Sequence, residues 1–186
     1  IYILRRETRS PHAVMTADQT DRLLNYLLIG IILGGRRGYV FIYNAAYYLE
    51  NPLSILHVWQ GGMSFHGALI GVGLALFAMA KRHNIAFLAL SDRVAMVTPI
   101  GLFLGRLSNF INGELYGRVT DVPWAMIFPH SDGLPRHPSQ LYEAGLEGIV
   151  LGLAMYLCWR RGWLAATGRL TGLFLFGYGL ARFLVE

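Results

Sequence analysis

Apolar residues in this chain gather in long runs instead of alternating or recurring on a single face. Five runs approach the roughly 20 mostly apolar residues that a helix needs to cross a bilayer. They are Leu23 to Tyr43, His66 to Ala80, Val94 to Ile111, Leu141 to Trp159 and Leu170 to Val185. The second is short and draws on Met63, Ser64 and Phe65; the third contains Pro99, tolerable where neighbours re-satisfy the backbone. The pattern predicts an all-α polytopic membrane helix bundle of five spans. Residues 1–22 read as a cytoplasmic N-terminal segment and 23–186 as the membrane domain. Residues 112–140, punctuated by Gly, Pro and Asp, read as a small extracytoplasmic cap, or as a loop dipping into the interface.

Composition agrees with a membrane solvent. Of 186 residues, 54% are apolar, and with 22 glycines roughly two-thirds are apolar or Gly, against about 45–50% in soluble domains. Mean hydropathy is +0.43. A single Cys excludes a disulfide scaffold or thiolate cluster. The chain opens without Met or a signal peptide and stops in mid-pattern at Glu186, so it reads as a fragment.

The basic residues orient the spans. Arg5, Arg6, Arg9 and Arg22 precede the first; Lys81, Arg82 and Arg93 follow the second; Arg160, Arg161 and Arg169 follow the fourth. The opposite side holds only Arg118 and Arg136. Ten against two places the N-terminal segment in the cytoplasm. The net charge of +5 is then an orientation signal dispersed over loops, with no nucleic-acid patch.

Four basic residues lie inside spans: Arg36, Arg37, Arg106 and Arg182. At 1.5 Å per residue, Arg36, Arg106 and Arg182 stand roughly 18–20 Å from the inner face, in the outer half of the membrane. His66 opens a span at the outer face, and Glu143 and Glu147 lie in the first turns of a descending one. Five helices thus bring ionisable groups to one layer. Intramembrane charge faces a partner or a cavity. Pairing within the layer is one reading, yet four Arg meet two Glu, or three with Glu186. The positive surplus calls for an anion, and the planar guanidinium suits a lipid phosphate. Arg106 and Asn109 share a helix face, as do Arg182 and Glu186, and Arg36 with Tyr39 and Tyr43. Tyr43 also fits an interfacial belt, and Glu186 an end-of-helix charge. His66 is a general base or a hydrogen-bonded helix-start residue. His57, His130 and His137 show no metal-ligand spacing, and Cys158 lies far from the arginine layer.

Five blocks stand in order: GGRRGYVFIYN from Gly34, GGMSFHG from Gly61, GRLSNFINGELYGR from Gly105, LPRHPSQLYE from Leu134 and GYGLARFLVE from Gly177. Together they resemble the bacterial prolipoprotein diacylglyceryl transferase family from about Leu23 onward. The resemblance implies about seven spans in the intact protein, most of the first and all of the last being absent here. It implies transfer of diacylglycerol from phosphatidylglycerol to the lipobox cysteine of a prolipoprotein signal peptide, making a thioether and releasing glycerol phosphate. The setting it implies is the bacterial cytoplasmic (inner) membrane bilayer, with no cofactor or metal. It assigns Arg106 and Arg182 as essential and His66 as the base. Asn109, Arg36, Tyr39, Gly117, Glu114, Glu143 and Glu186 are the remaining candidates for phosphatidylglycerol binding. Three positions depart from the family pattern: Arg37 replaces an aliphatic residue, and Ala68 and Ser108 replace Gly. The last is expected to reduce tolerance without abolishing activity. A transporter or lipid-binding channel, and another headgroup enzyme, are the competing functional classes.

Overall fold

The computed structural model describes residues 2–10, 13–129 and 131–186. Among these, every regular element is helical, and the only ladder contacts are isolated bridges pairing Arg136 with Val119 and with Met126. Contacts divide the chain into two compact units, Ile1–Leu90 and Ser91–Glu186.

In the first unit, α1 (Tyr2–Glu7) is short, and its Arg5 forks onto Asp21, with Nη2 at 2.9 and 2.7 Å from the two carboxylate oxygens. Helix α2 (Ala17–Gly38) starts earlier than its apolar run because Thr16 caps it. The Thr16 hydroxyl accepts from the Gln19 amide while the Gln19 side chain accepts from the Thr16 amide, a reciprocal box that satisfies two orphan donors. A π-helical turn, Tyr39–Tyr43, carries the chain into α3 (Ala45–Glu50) and two 3-10 turns, Pro52–Leu56 and Val58–Gln60. Helix α4 (Phe65–His83) follows, capped by the Ser64 hydroxyl, which accepts from the Gly67 amide. Of the three flanking residues expected to lengthen this span, only Phe65 is helical. Helices α2 and α4 touch backbone to backbone: a Cβ on Gly71 would overlap the Gly30 carbonyl, and one on Gly67 that of Gly34.

The second unit is built on α5 (Phe87–Asn112), which keeps Pro99 in its interior. It starts well before Val94. Asp92, fully buried, accepts from the amides of Gly168 and Thr171 and from the Thr171 hydroxyl, each at 2.7 Å. That carboxylate caps the start of α8 (Arg169–Val185). Arg93, counted above as a loop charge, is therefore buried within α5, although the loop imbalance keeps its sign. A continuous helical stretch, Ser139–Arg160, comprises α6 (Ser139–Glu143), a π-helical segment Ala144–Val150, and α7 (Leu151–Arg160). Small residues again set the packing: a Cβ on Gly148 would stand 2.6 Å from the Cβ of Phe103, and one on Gly177 2.6 Å from Leu151.

Among the described residues, four helical stretches are long and apolar enough to cross a membrane: Ala17–Tyr43, Phe65–His83, Phe87–Asn112 and Ser139–Arg160. The protein is thus an all-α polytopic membrane protein, and the described residues carry four such spans, one fewer than expected. Helix α8 has 17 residues, about 25 Å at 1.5 Å per residue against a hydrocarbon core of about 30 Å. Between α5 and α6 the chain forms an irregular lobe held by main-chain bonds. Arg136 and Met126 exchange both amide bonds at 2.9 Å, and Tyr116 stacks on Phe128 at 5.2 Å.

Candidate active site

Within the second unit, three helices bring their charges together. Arg106 lies on α5, Glu143 ends α6, Glu147 sits in the π-helical segment, and Arg182 is near the end of α8. Arg106 Nε stands 3.1 Å from Glu143 Oε2 and 3.2 Å from Glu147 Oε2. Arg182 Nη1 donates to Glu143 and lies 3.9 Å from Glu147, while its Nη2 donates to Glu186, one turn along. The Glu147 side chain is fully buried and that of Glu143 nearly so. Each carboxylate thus meets both guanidinium groups, the compensation that buried charge requires.

The expected positive surplus is absent from this cluster, where two arginines meet three carboxylates. Glu147 turns inward beside Glu143, and Arg36 and Arg37 belong to the first unit. What stays open is an edge. Arg106 spends only Nε on its carboxylates, and its two terminal nitrogens have no hydrogen-bond partner among the described residues. Arg106 and Arg182 line a cavity of about 470 Å³ together with Tyr116, Gly117, Arg118 and Ser139.

The neighbouring loop is fixed to the same wall. Gly117 donates its amide to the His137 carbonyl at 2.9 Å, and a Cβ there would stand 2.9 Å from His137 Cβ and 3.0 Å from its oxygen. Glycine is required by that approach. The Glu114 carbonyl accepts from the buried Gln140 side chain at 2.6 Å; its own carboxylate is exposed and accepts from Asn112. Arg118, exposed, donates to the Glu186 carbonyl at 2.7 Å. Asn109 is half-buried one turn beyond Arg106, and its carbonyl accepts from the Glu114 amide. Ser108 is exposed on α5.

The first unit holds the other candidates. Arg36 is buried and donates to four carbonyls: Ser54 at 2.6 Å, Ile55 at 2.9 Å, Gly61 at 2.7 Å and Gly62 at 3.2 Å. Its guanidinium also lies 5.1 Å from the Tyr48 ring centroid. Here the guanidinium organises the 51–62 loop. Tyr39 stacks on Tyr43 at 5.9 Å and meets Tyr48 edge-on. His66 is exposed, with an edge contact to the Phe65 ring at 5.7 Å.

Sequence reasoning placed less weight on Glu147, Arg118 and Asp92 than their contacts warrant. The four-residue spacing of Glu143 and Glu147 was the available signal for the first; the others depend on long-range contacts. Among the remaining histidines, His137 Nδ1 meets the Tyr142 hydroxyl at 3.2 Å, and His130 lies outside the described residues. Cys158 is half-buried on α7.

A polytopic helical protein whose spans carry a buried arginine–glutamate cluster beside a cavity belongs among membrane proteins that handle charged ligands at bilayer depth. The family model described as prolipoprotein diacylglyceryl transferase matches residues 1–186, and the chain belongs to that family. It is 53% identical to the phosphatidylglycerol–prolipoprotein diacylglyceryl transferase of Bordetella parapertussis, covering 100% of this chain and 71% of the relative. The protein of the same name from Methylocella silvestris is 57% identical over 89% of this chain and 61% of its own length. That from Cereibacter sphaeroides is 53% identical over 94% and 63%. The chain therefore spans some three-fifths to seven-tenths of the length of these relatives.

Proposed function

We propose that the protein transfers the diacylglyceryl group of phosphatidylglycerol to the lipobox cysteine thiol of a prolipoprotein signal peptide. The setting proposed is the outer half of a bacterial cytoplasmic (inner) membrane. The observation that supports this reading most is Arg106, anchored through Nε by two buried carboxylates and with its terminal nitrogens unpartnered beside the cavity. A phosphodiester accepts paired hydrogen bonds from such an edge. Arg182 adds a second charge from the opposite side of Glu143.

In the proposed reaction the thiol loses its proton to a base, the role the resemblance gives to His66. The thiolate sulfur attacks the glycerol carbon that bears the phosphate. A carbon–sulfur bond forms, the carbon–oxygen bond breaks, and its electron pair leaves on glycerol phosphate. Arg106 and Arg182 stabilise the charge developing on that leaving group, an electrostatic effect that counts most where water is excluded. Glu143 and Glu147 serve as positioning residues that hold both guanidinium planes. Asn109, Glu114 and Gly117 are proposed to shape the headgroup wall and Glu186 to support it; Tyr39, in the first unit, is a separate candidate for lipid binding.

The test is by product. Purified protein in detergent receives phosphatidylglycerol and a lipobox peptide, and peptide mass and free glycerol phosphate are followed together. A cysteine-dependent mass gain matched by glycerol phosphate supports the transferase. Lipid retention with neither product would leave a lipid-binding protein, and a modified lipid with unmodified peptide would point to another headgroup enzyme.

A further inference from the structure

The lobe between α5 and α6 holds a backbone outlier. Leu115 has φ +54°, in the left-handed region that residues with a side chain seldom adopt. Gly113, two residues earlier, takes φ +68° without that penalty. The surroundings of Leu115 fix it in place. On one side the Glu114 amide donates to the Asn109 carbonyl at 2.9 Å, and the Glu114 carbonyl accepts from the Gln140 side chain at 2.6 Å. The Leu115 carbonyl itself accepts from the Ser139 hydroxyl at 3.1 Å. On the other side the Tyr116 ring stacks on Phe128 at 5.2 Å and lies 5.2 Å from the Arg136 guanidinium. Strain that its surroundings over-determine in this way clusters at functional positions. The fold makes no use of the side chain: Leu115 is 63% exposed, on the wall of the cavity that holds Arg106 and Arg182.

A little further along the chain, the lobe presents an open edge. Val119 bridges Arg136, flanked by bonds from the His137 amide to the Arg118 carbonyl at 3.1 Å and from the Thr120 amide to the Pro135 carbonyl at 3.0 Å. In that antiparallel register the Val119 amide and carbonyl point away from Arg136, whose own amide and carbonyl pair with Met126. Neither Val119 group has a hydrogen-bond partner among the described residues, and the residue is exposed. An unpaired edge is a template for an extended chain. Tyr116, Gly117 and Arg118, between this edge and Leu115, line the arginine cavity, so edge, cavity wall and Leu115 form one continuous strip. A lipid acyl chain would cover Leu115 but offers nothing to the Val119 amide and carbonyl; a peptide satisfies both. We infer that this strip docks the acceptor peptide as an added strand on Val119, with an apolar side chain near its thiol packed on Leu115. Ser139 and Gln140 are positioning residues that keep Leu115 at the cavity. The inference rests on the transfer reading only in naming the peptide as the partner that carries the thiol.

Binding is measured apart from transfer. The full chain in detergent is titrated into a fluorescent lipobox peptide whose cysteine is replaced by serine, and anisotropy is followed. Leu115→Gly should weaken binding about tenfold, as losing one partly buried Leu side chain does. Its Tm should hold or rise, because glycine adopts that backbone conformation freely. Ser139→Ala should weaken binding in the parent and change nothing further in Leu115→Gly, since it acts through that side chain. N-methylation then removes one amide donor at a time from the peptide. Successive amides of a strand face opposite edges, so binding should fall at every second position and survive between them. Parental affinity in Leu115→Gly, a Tm that falls together with affinity, N-methyl effects without a two-residue period, or no peptide binding by the parent would each overturn the inference. The transfer assay is read separately. Transfer by a parent whose Leu115→Gly variant binds peptide equally well defeats the inference alone, and binding without transfer defeats only the reading of the reaction.

Discussion

At the residue scale, most of the account rests on how guanidinium groups are occupied. Arg36 and Arg106 looked alike in the sequence, as intramembrane arginines at equal depth. One gives its donors to four backbone carbonyls, and the other keeps its terminal nitrogens free beside a cavity. Arg36→Lys should therefore loosen the 51–62 loop, because an ammonium group cannot span four acceptors in that fork. Limited proteolysis should cut this loop in the variant under conditions that leave the parent intact. Glu147 makes the complementary case: its side chain is fully buried between two arginines. Glu147→Ala removes the carboxylate that accepts from Arg106 Nε, while Glu143 and Glu186 still face the two guanidinium groups, and should cost about 1.5–3 kcal/mol of stability, seen as a lowered Tm in detergent. A change within experimental error would mean that the pair carries no such burden.

At the element scale, the lobe between α5 and α6, held by main-chain bonds, also carries an ion pair that titrates. Asp132 accepts from Arg136 at 2.6 Å, and this hydrogen bond holds its carboxyl below the ordinary carboxylate range. A depressed pKa stabilises the ionised form, so the contribution is present above the ordinary value of about 4 and lost as pH falls through the folded one. Hydrogen exchange at the Leu134 amide, which donates to Asp132, should be flat from about pH 8 to 5 once corrected for intrinsic rates, and should quicken below about 4. Asp132→Asn should remove that dependence.

The same scale shows what the sequence could and could not reveal. Apolar run length located the spans because the bilayer imposes it. It could not locate helix starts, which depend on Thr16 with Gln19 and on Asp92 with Thr171. The first of those was legible as a capping box; the second joins residues 79 apart. The meeting of Arg106 and Arg182 with Glu143 was legible as position along each helix. Its internal pairing was not, because depth does not say which way a side chain turns around the axis.

At the scale of the whole molecule, the basic residues predict the topology, and the proposed site needs the lobe on the outer side. In a Cys158→Ser background, a membrane-impermeant maleimide applied to intact cells should label Asp121→Cys and spare Thr167→Cys. Both positions are exposed, so accessibility within the fold does not bias the comparison. Labelling of Thr167→Cys alone would invert the topology and remove the site from the face proposed for it.

The most direct test of the central claim is transfer by Arg106→Ala against the parent, measured as peptide mass gain with phosphatidylglycerol and a lipobox peptide. Loss of a preorganised charge that stabilises the leaving phosphate should lower kcat by about 10²–10³ or more, with helical content unchanged. Arg106→Lys should recover little, since a point charge does not reproduce the paired edge. Transfer at the parental rate by folded Arg106→Ala would contradict the account.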